Sequence, residues 1–116
     1  MRELKFRVWD KVKEQMLKPQ AISFNTQNSV PFAVTVPGRS WKSIGKFEVL
    51  QWTGFSDQNG IDVYDADLVK ISSVIYKITW NKTVVTFELI EQGSSSKLDL
   101  KQVTCGGVIG NEFQRL

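Results

Sequence analysis

Asp57, Asp62, Asp65 and Asp67 fall within eleven positions of the stretch TGFSDQNGIDVYDADLVKI (53–71), with no basic residue between them. Carboxylates at that density can hold a divalent cation or, in pairs, support two-metal phosphoryl chemistry. Asp57-x-Asn59-Gly60-x-Asp62 has the outline of a calcium loop, which needs oxygen ligands at its first, third and fifth positions, glycine at the sixth and glutamate at the twelfth. Counted from Asp57, the fifth is Ile61, the sixth Asp62 and the twelfth Leu68. Asp57–Gly60 therefore reads as a turn, opened by the aspartate side chain as acceptor, with Asn-Gly supplying the positive φ. In an extended segment Asp65 and Asp67 share one face and Asp62 takes the other, so the three converge only if the chain bends at Tyr64-Asp65. No Lys, Arg or His motif beside them completes a site. Asp62, Asp65 and Asp67 are the candidate metal ligands, and the expectation is that they cap a turn while Leu68, Val69 and Ile71 enter the core.

A second constellation is basic. Lys5, Arg7 and Trp9 alternate onto one side of the first strand, and Arg39, Trp41 and Lys42 repeat the combination of cations around an aromatic ring. Cations that track phosphates beside a ring that stacks a base are how small barrels hold single-stranded nucleic acid. Against this stands a plain solvated strand face, with Trp9 tucked over a neighbour; Trp52 and Trp80 are likewise expected in the core first.

The charge is unevenly spread. Residues 1–18 carry six bases against three acids, 39–46 carry Arg39, Lys42 and Lys46 with no acid, and 57–67 carry four acids with no base, within a net charge of +3. Histidine is missing and Cys105 is the only cysteine, which removes imidazole triads, thiolate cages and any internal disulfide. No catalytic residue, cofactor or enzymatic activity is expected. No apolar run reaches membrane-spanning length, and MRELKFRVWD has no uninterrupted apolar core of the signal-peptide kind, so the expected location is the cytoplasm.

The elements that must position these residues repeat with a period close to two. Leu4, Phe6 and Val8 alternate with Lys5, Arg7 and Trp9; Val74, Tyr76, Ile78 and Trp80 share one face, and Val85, Phe87 and Leu89 another. Asn81-Lys82 reads as a tight hairpin between the last two runs. Residues 97–103 read as a strand, Cys105-Gly106-Gly107 as a turn and Val108-Ile109 as a closing strand. AISF (21–24) and VPFAVTV (30–36) read as strands, Pro31 confining the second to a sheet edge or a strand start, and a helix fits only around 10–17. Length and composition fit one domain over 1–116. The fold class is mainly β: a small SH3-like, partly open barrel with one short helix at most.

Three stretches resemble one family in order and spacing: MRELKFRVWDK at the start, LQWTGFSDQNGIDVYDADLVKI at 50–71 and GGVIGNEF at 106–113. Together they resemble the YopX family of phage and prophage proteins, with one departure. Where that pattern has Glu-Gly-Asp, this chain has Asp65-Ala66-Asp67, so a left-handed turn there would be strained. The resemblance implies a small barrel-like β domain in a bacterial host cell, and it implies no activity.

The functional expectation is a non-catalytic accessory protein acting as a homo-oligomer or by binding a phage or host protein. VPFAVTV is the candidate self-association edge, being apolar and almost without charge. The alternative is a weak nucleic-acid binder using Lys5, Arg7, Trp9, Arg39, Trp41 and Lys42. A metal-dependent hydrolase using Asp62, Asp65 and Asp67 is the third.

Overall fold

A computed structural model describes residues 4–25, 27–28, 31–36 and 42–114. In chain order these form β1 (Phe6–Asp10), β2 (Gln15–Leu17), β3 (Ala21–Phe24), β4 (Pro31–Thr35), β5 (Lys42–Ser43) and a 3-10 turn (Ile44–Lys46). There follow β6 (Phe47–Ser56), β7 (Asp62–Tyr64), β8 (Asp67–Ile71), β9 (Val74–Asn81), β10 (Thr86–Glu91), β11 (Lys97–Asp99), a 3-10 helix (Leu100–Cys105) and β12 (Gly107–Asn111). The chain is mainly β with a strongly curled, half-barrel sheet and one short helix, as the alternating pattern predicts. It divides into two compact units, one of residues 5–51 and one of 1–4 with 52–116.

In the first unit β1 lies between β2 and the opening half of β6, antiparallel to both, and β4 lies between β3 and β5. Val8, Val34, Val36 and Phe47 are buried together, with Leu17, Ile22 and Val49 packed against them. The expected helix around 10–17 is instead a hairpin. The Asp10 carboxylate accepts hydrogen bonds from the backbone N–H groups of Val12 and Lys13, both at 3.0 Å, and Trp9 pairs with Met16 across the turn. A short side chain that bonds backbone two and three residues on offers the chain a turn in place of a helix. Val12, taken as part of the helical stripe, is two-thirds exposed. Of the two places that Pro31 allows, the structure takes the strand start; β4 is the central strand of its sheet, pairing with β3 on one side and β5 on the other, which corrects the self-association edge expected of VPFAVTV. Pro31 is tolerated because it sits at the first residue of the strand.

In the second unit the closing half of β6 pairs with β7, and a five-stranded antiparallel sheet runs in the order β11-β10-β9-β8-β12. Val63, Val69, Ile78, Phe87, Leu89 and Val103 form its core. Ile78, Phe87 and Leu89 are the inward residues that the period-two reading expects. Trp80, expected in the core, is 42% exposed and rests edge-on against Phe87 at 4.9 Å between ring centroids. The strand expected over 97–103 stops at Asp99, whose side chain accepts from the Lys101 N–H at 3.0 Å and caps the 3-10 helix. Residues three apart eclipse in such a helix, so Leu100 and Val103 both turn inward. The two-residue hairpin lies at Ser72-Ser73 between β8 and β9, not at Asn81-Lys82, which opens a four-residue turn closed by Asn81 opposite Thr86.

Candidate anion-binding site

The acidic stretch is consumed by architecture. Asp57 is buried, and its Oδ1 accepts from the N–H groups of Asn59 at 2.8 Å and Ile61 at 2.9 Å. Its Oδ2 accepts from Val108 N–H at 2.9 Å, and the neighbouring Gln58 N–H donates to the Gly106 carbonyl at 3.0 Å. Gly60 has φ of 79°, and its N–H donates to the Asp57 carbonyl, so this is the turn the sequence predicts. Burial by itself would push the Asp57 carboxyl up; the N–H groups of Val108, Ile61 and Asn59 outweigh it and hold the carboxyl below its ordinary value.

The three metal candidates take separate tasks. Asp67 is almost fully buried and its Oδ2 accepts from Tyr64 N–H at 2.8 Å, closing the Tyr64–Asp67 turn. Asp62 accepts from the Ser56 hydroxyl at 3.2 Å across the β6–β7 ladder, and Asp65 is half-buried in the turn itself. Among the described residues no three His, Cys, Asp or Glu side chains gather to hold a metal.

The basic residues give a different result. Trp9 is 5% exposed, so its ring has no free face for a base, and Lys5, just before β1, and Arg7, within it, are half-buried. Arg39 and Trp41 lie outside the described residues. Lys42 lines a cavity of about 410 Å³ together with Asp10, Val12, Lys13, Gly45, Lys46 and Phe47.

The strands explain this convergence. Asp10 and Phe47 pair at the end of the β1–β6 ladder. The Lys11–Glu14 turn leaves from the first and the Ile44–Lys46 turn arrives at the second, so both turns sit at one end of the ladder. The Lys11 N–H donates to the Lys46 carbonyl at 3.0 Å and ties them together. Lys42 comes from β5, held by its pairing with Val34. Among the described residues, three lysines and one acid, Asp10, line this opening, and the Asp10 Oδ1 is already occupied by two backbone N–H groups. Lys11 is drawn off to Glu48 at 3.0 Å, whereas Lys13, Lys42 and Lys46 have no ion pair among the described residues. Like charges around one opening repel, and a multiply charged anion relieves that repulsion.

Sequence reasoning found Lys42 and missed Lys13 and Lys46. Both lie in the basic segments 1–18 and 39–46, but only the strand register reveals that those segments meet.

The chain matches the YopX protein family over residues 5–115. It belongs to the YopX family. Two of the stretches that carry the YopX pattern are joined in space by the Asp57–Val108 and Gln58–Gly106 bonds. The crystal structure of protein EF1440 from Enterococcus faecalis is similar in fold, with a TM-score of 0.68 at 20% identity, covering 96% of this chain and 94% of that one. No curated protein matches the chain. No helix among the described residues is long and apolar enough to cross a membrane.

Proposed function

We propose that this YopX-family chain is a non-catalytic accessory protein of phage or prophage origin, working in the bacterial cytoplasm by binding a polyanionic partner, nucleic acid foremost. The observation that carries this reading is the cavity lined by Lys13, Lys42 and Lys46, none of which is ion-paired among the described residues, with Asp10 as the acid beside them. The non-catalytic part is supported by Asp57 and Asp67, whose carboxylate oxygens accept from backbone N–H groups that organise turns. Assembly with a copy of itself has less support, since the β4 segment that suggested it has both edges paired.

Titrating labelled oligonucleotide at low and moderate salt tests the reading. Three phosphate contacts on a single strand predict a log K against log salt slope of about −2. The pair Lys42→Glu and Lys46→Glu, both exposed, should abolish binding with the circular dichroism spectrum unchanged. Binding indifferent to both salt and the pair, or no binding of any polyanion, overturns it.

A further inference from the structure

We infer that the lysine-rimmed cavity takes one nucleotide unit of a single strand, with its phosphate among Lys13, Lys42 and Lys46 and its base against Val12 and Phe47. The inference rests on the proposed polyanion-binding reading and narrows it to a substrate class. A site for phosphate alone needs only cations and donors. This one pairs its cationic rim with an apolar lining: Val12 is 67% exposed on the Lys11–Glu14 turn, and the buried Phe47 closes the inner end. The exposed Val12 side chain, between two lysines on the turn, offers an apolar surface against which the face of a base can rest. At about 410 Å³ the cavity falls in the lower part of the range that ligand sites occupy, roughly 300–1,000 Å³. Such a space admits a splayed-out nucleotide, while a duplex keeps its bases stacked inside and offers the rim only phosphates.

Among the described lining residues there is no amide or hydroxyl side chain, and the carboxylate, Asp10, already accepts from two backbone N–H groups. Val12, Gly45 and Phe47 are apolar, and the lysines are mobile point charges, so the site distinguishes strandedness and not sequence.

Fluorescence anisotropy separates the possibilities, using a labelled ten-nucleotide oligothymidine, the same length of duplex and the same length of abasic strand. The abasic strand keeps every phosphate and removes every base. Single-strand affinity should exceed both others by about tenfold, the equivalent of one packed base. Val12→Ser, an uncharged change at an exposed position, should lower single-strand affinity to the level of the abasic strand and leave abasic-strand affinity unchanged. Equal affinity for all three ligands, with binding still lost in the Lys42→Glu/Lys46→Glu pair, overturns the inference and leaves the polyanion reading standing. Failure of all three to bind overturns both.

Discussion

The Asp57 carboxylate accepts a hydrogen bond from the backbone N–H of Val108 at 2.9 Å, across a separation of 51 residues. The same carboxylate organises its own turn through Asn59 and Ile61. One buried acid therefore fixes a local turn and the start of β12 at once. Asp57→Ala would leave three backbone donors without their acceptor and should cost about 3 kcal/mol, read from the urea midpoint at unchanged m-value.

The charge of Asp57 adds a pH dependence. Its carboxyl is held below the ordinary value of about 3.9, so the native state binds this proton less readily than the unfolded chain. The stabilisation is therefore fully present above the unfolded value and is lost as pH falls through the folded one. Stability should decline below about pH 4, and Asp57→Asn should flatten that decline while lowering stability at pH 7. Parallel acid limbs in the two proteins, measured by urea titration from pH 7 to pH 3, would refute the assignment.

Gly106 serves close approach. A Cβ built there would lie 2.5 Å from Ile71 Cγ1 and 2.6 Å from the Lys70 carbonyl oxygen, and its φ of −132° is ordinary for any residue. Gly106→Ala should therefore destabilise by overpacking, by about 1–3 kcal/mol. Gly107, whose Cβ would first meet the Asn59 amide at 3.5 Å, should accept alanine far better. Comparing the two thermal midpoints checks the contrast.

These particulars show what could be read from the sequence. The Asp57 turn was legible because turn chemistry is local, and Ile78, Phe87 and Leu89 because strand alternation is local too. The Asp10 hairpin was not, since Val12, Met16 and Leu17 also fit a short helix and only the Asp10 side-chain bonds decide between them. Lys13 and Lys46 were hidden for a different reason. They are more than thirty positions apart, and the pairing of Asp10 with Phe47 that unites them depends on register. Trp9 misled because alternation puts Val8 and Trp9 on opposite faces of β1 without saying whether each face is covered, and both are buried.

Three exposed turns hold non-glycine residues in left-handed backbone among the described residues, one of them at Glu14 with φ of 54°. Ser72 and Ser73 have φ of 48° and 74°, and Val85 has 54°. A two-residue hairpin with both φ positive prefers Asn-Gly, and a β-branched residue is the least tolerant of that region. Ser73→Gly and Val85→Asn remove strain without removing buried surface. Each should stabilise by about 0.5–1 kcal/mol, or a few degrees in Tm by calorimetry.

Ala66 presents the same backbone inside the protein. Its φ is 69° and it is 6% exposed. The turn cannot relax, because Ala66 N–H donates to the Ile78 carbonyl, its own carbonyl accepts from Glu112 N–H, and Asp67 clamps Tyr64. Strain of this kind persists where the surroundings over-determine it. Ala66→Gly exchanges relief of roughly 1–2 kcal/mol for a lost buried methyl and a more flexible unfolded chain, so its stability should stay within about 1 kcal/mol of the parent. Ala66→Val adds bulk and β-branching to a buried left-handed position and should lose about 2 kcal/mol or more. A valine variant as stable as the glycine one in urea unfolding would show that the turn is not left-handed in solution.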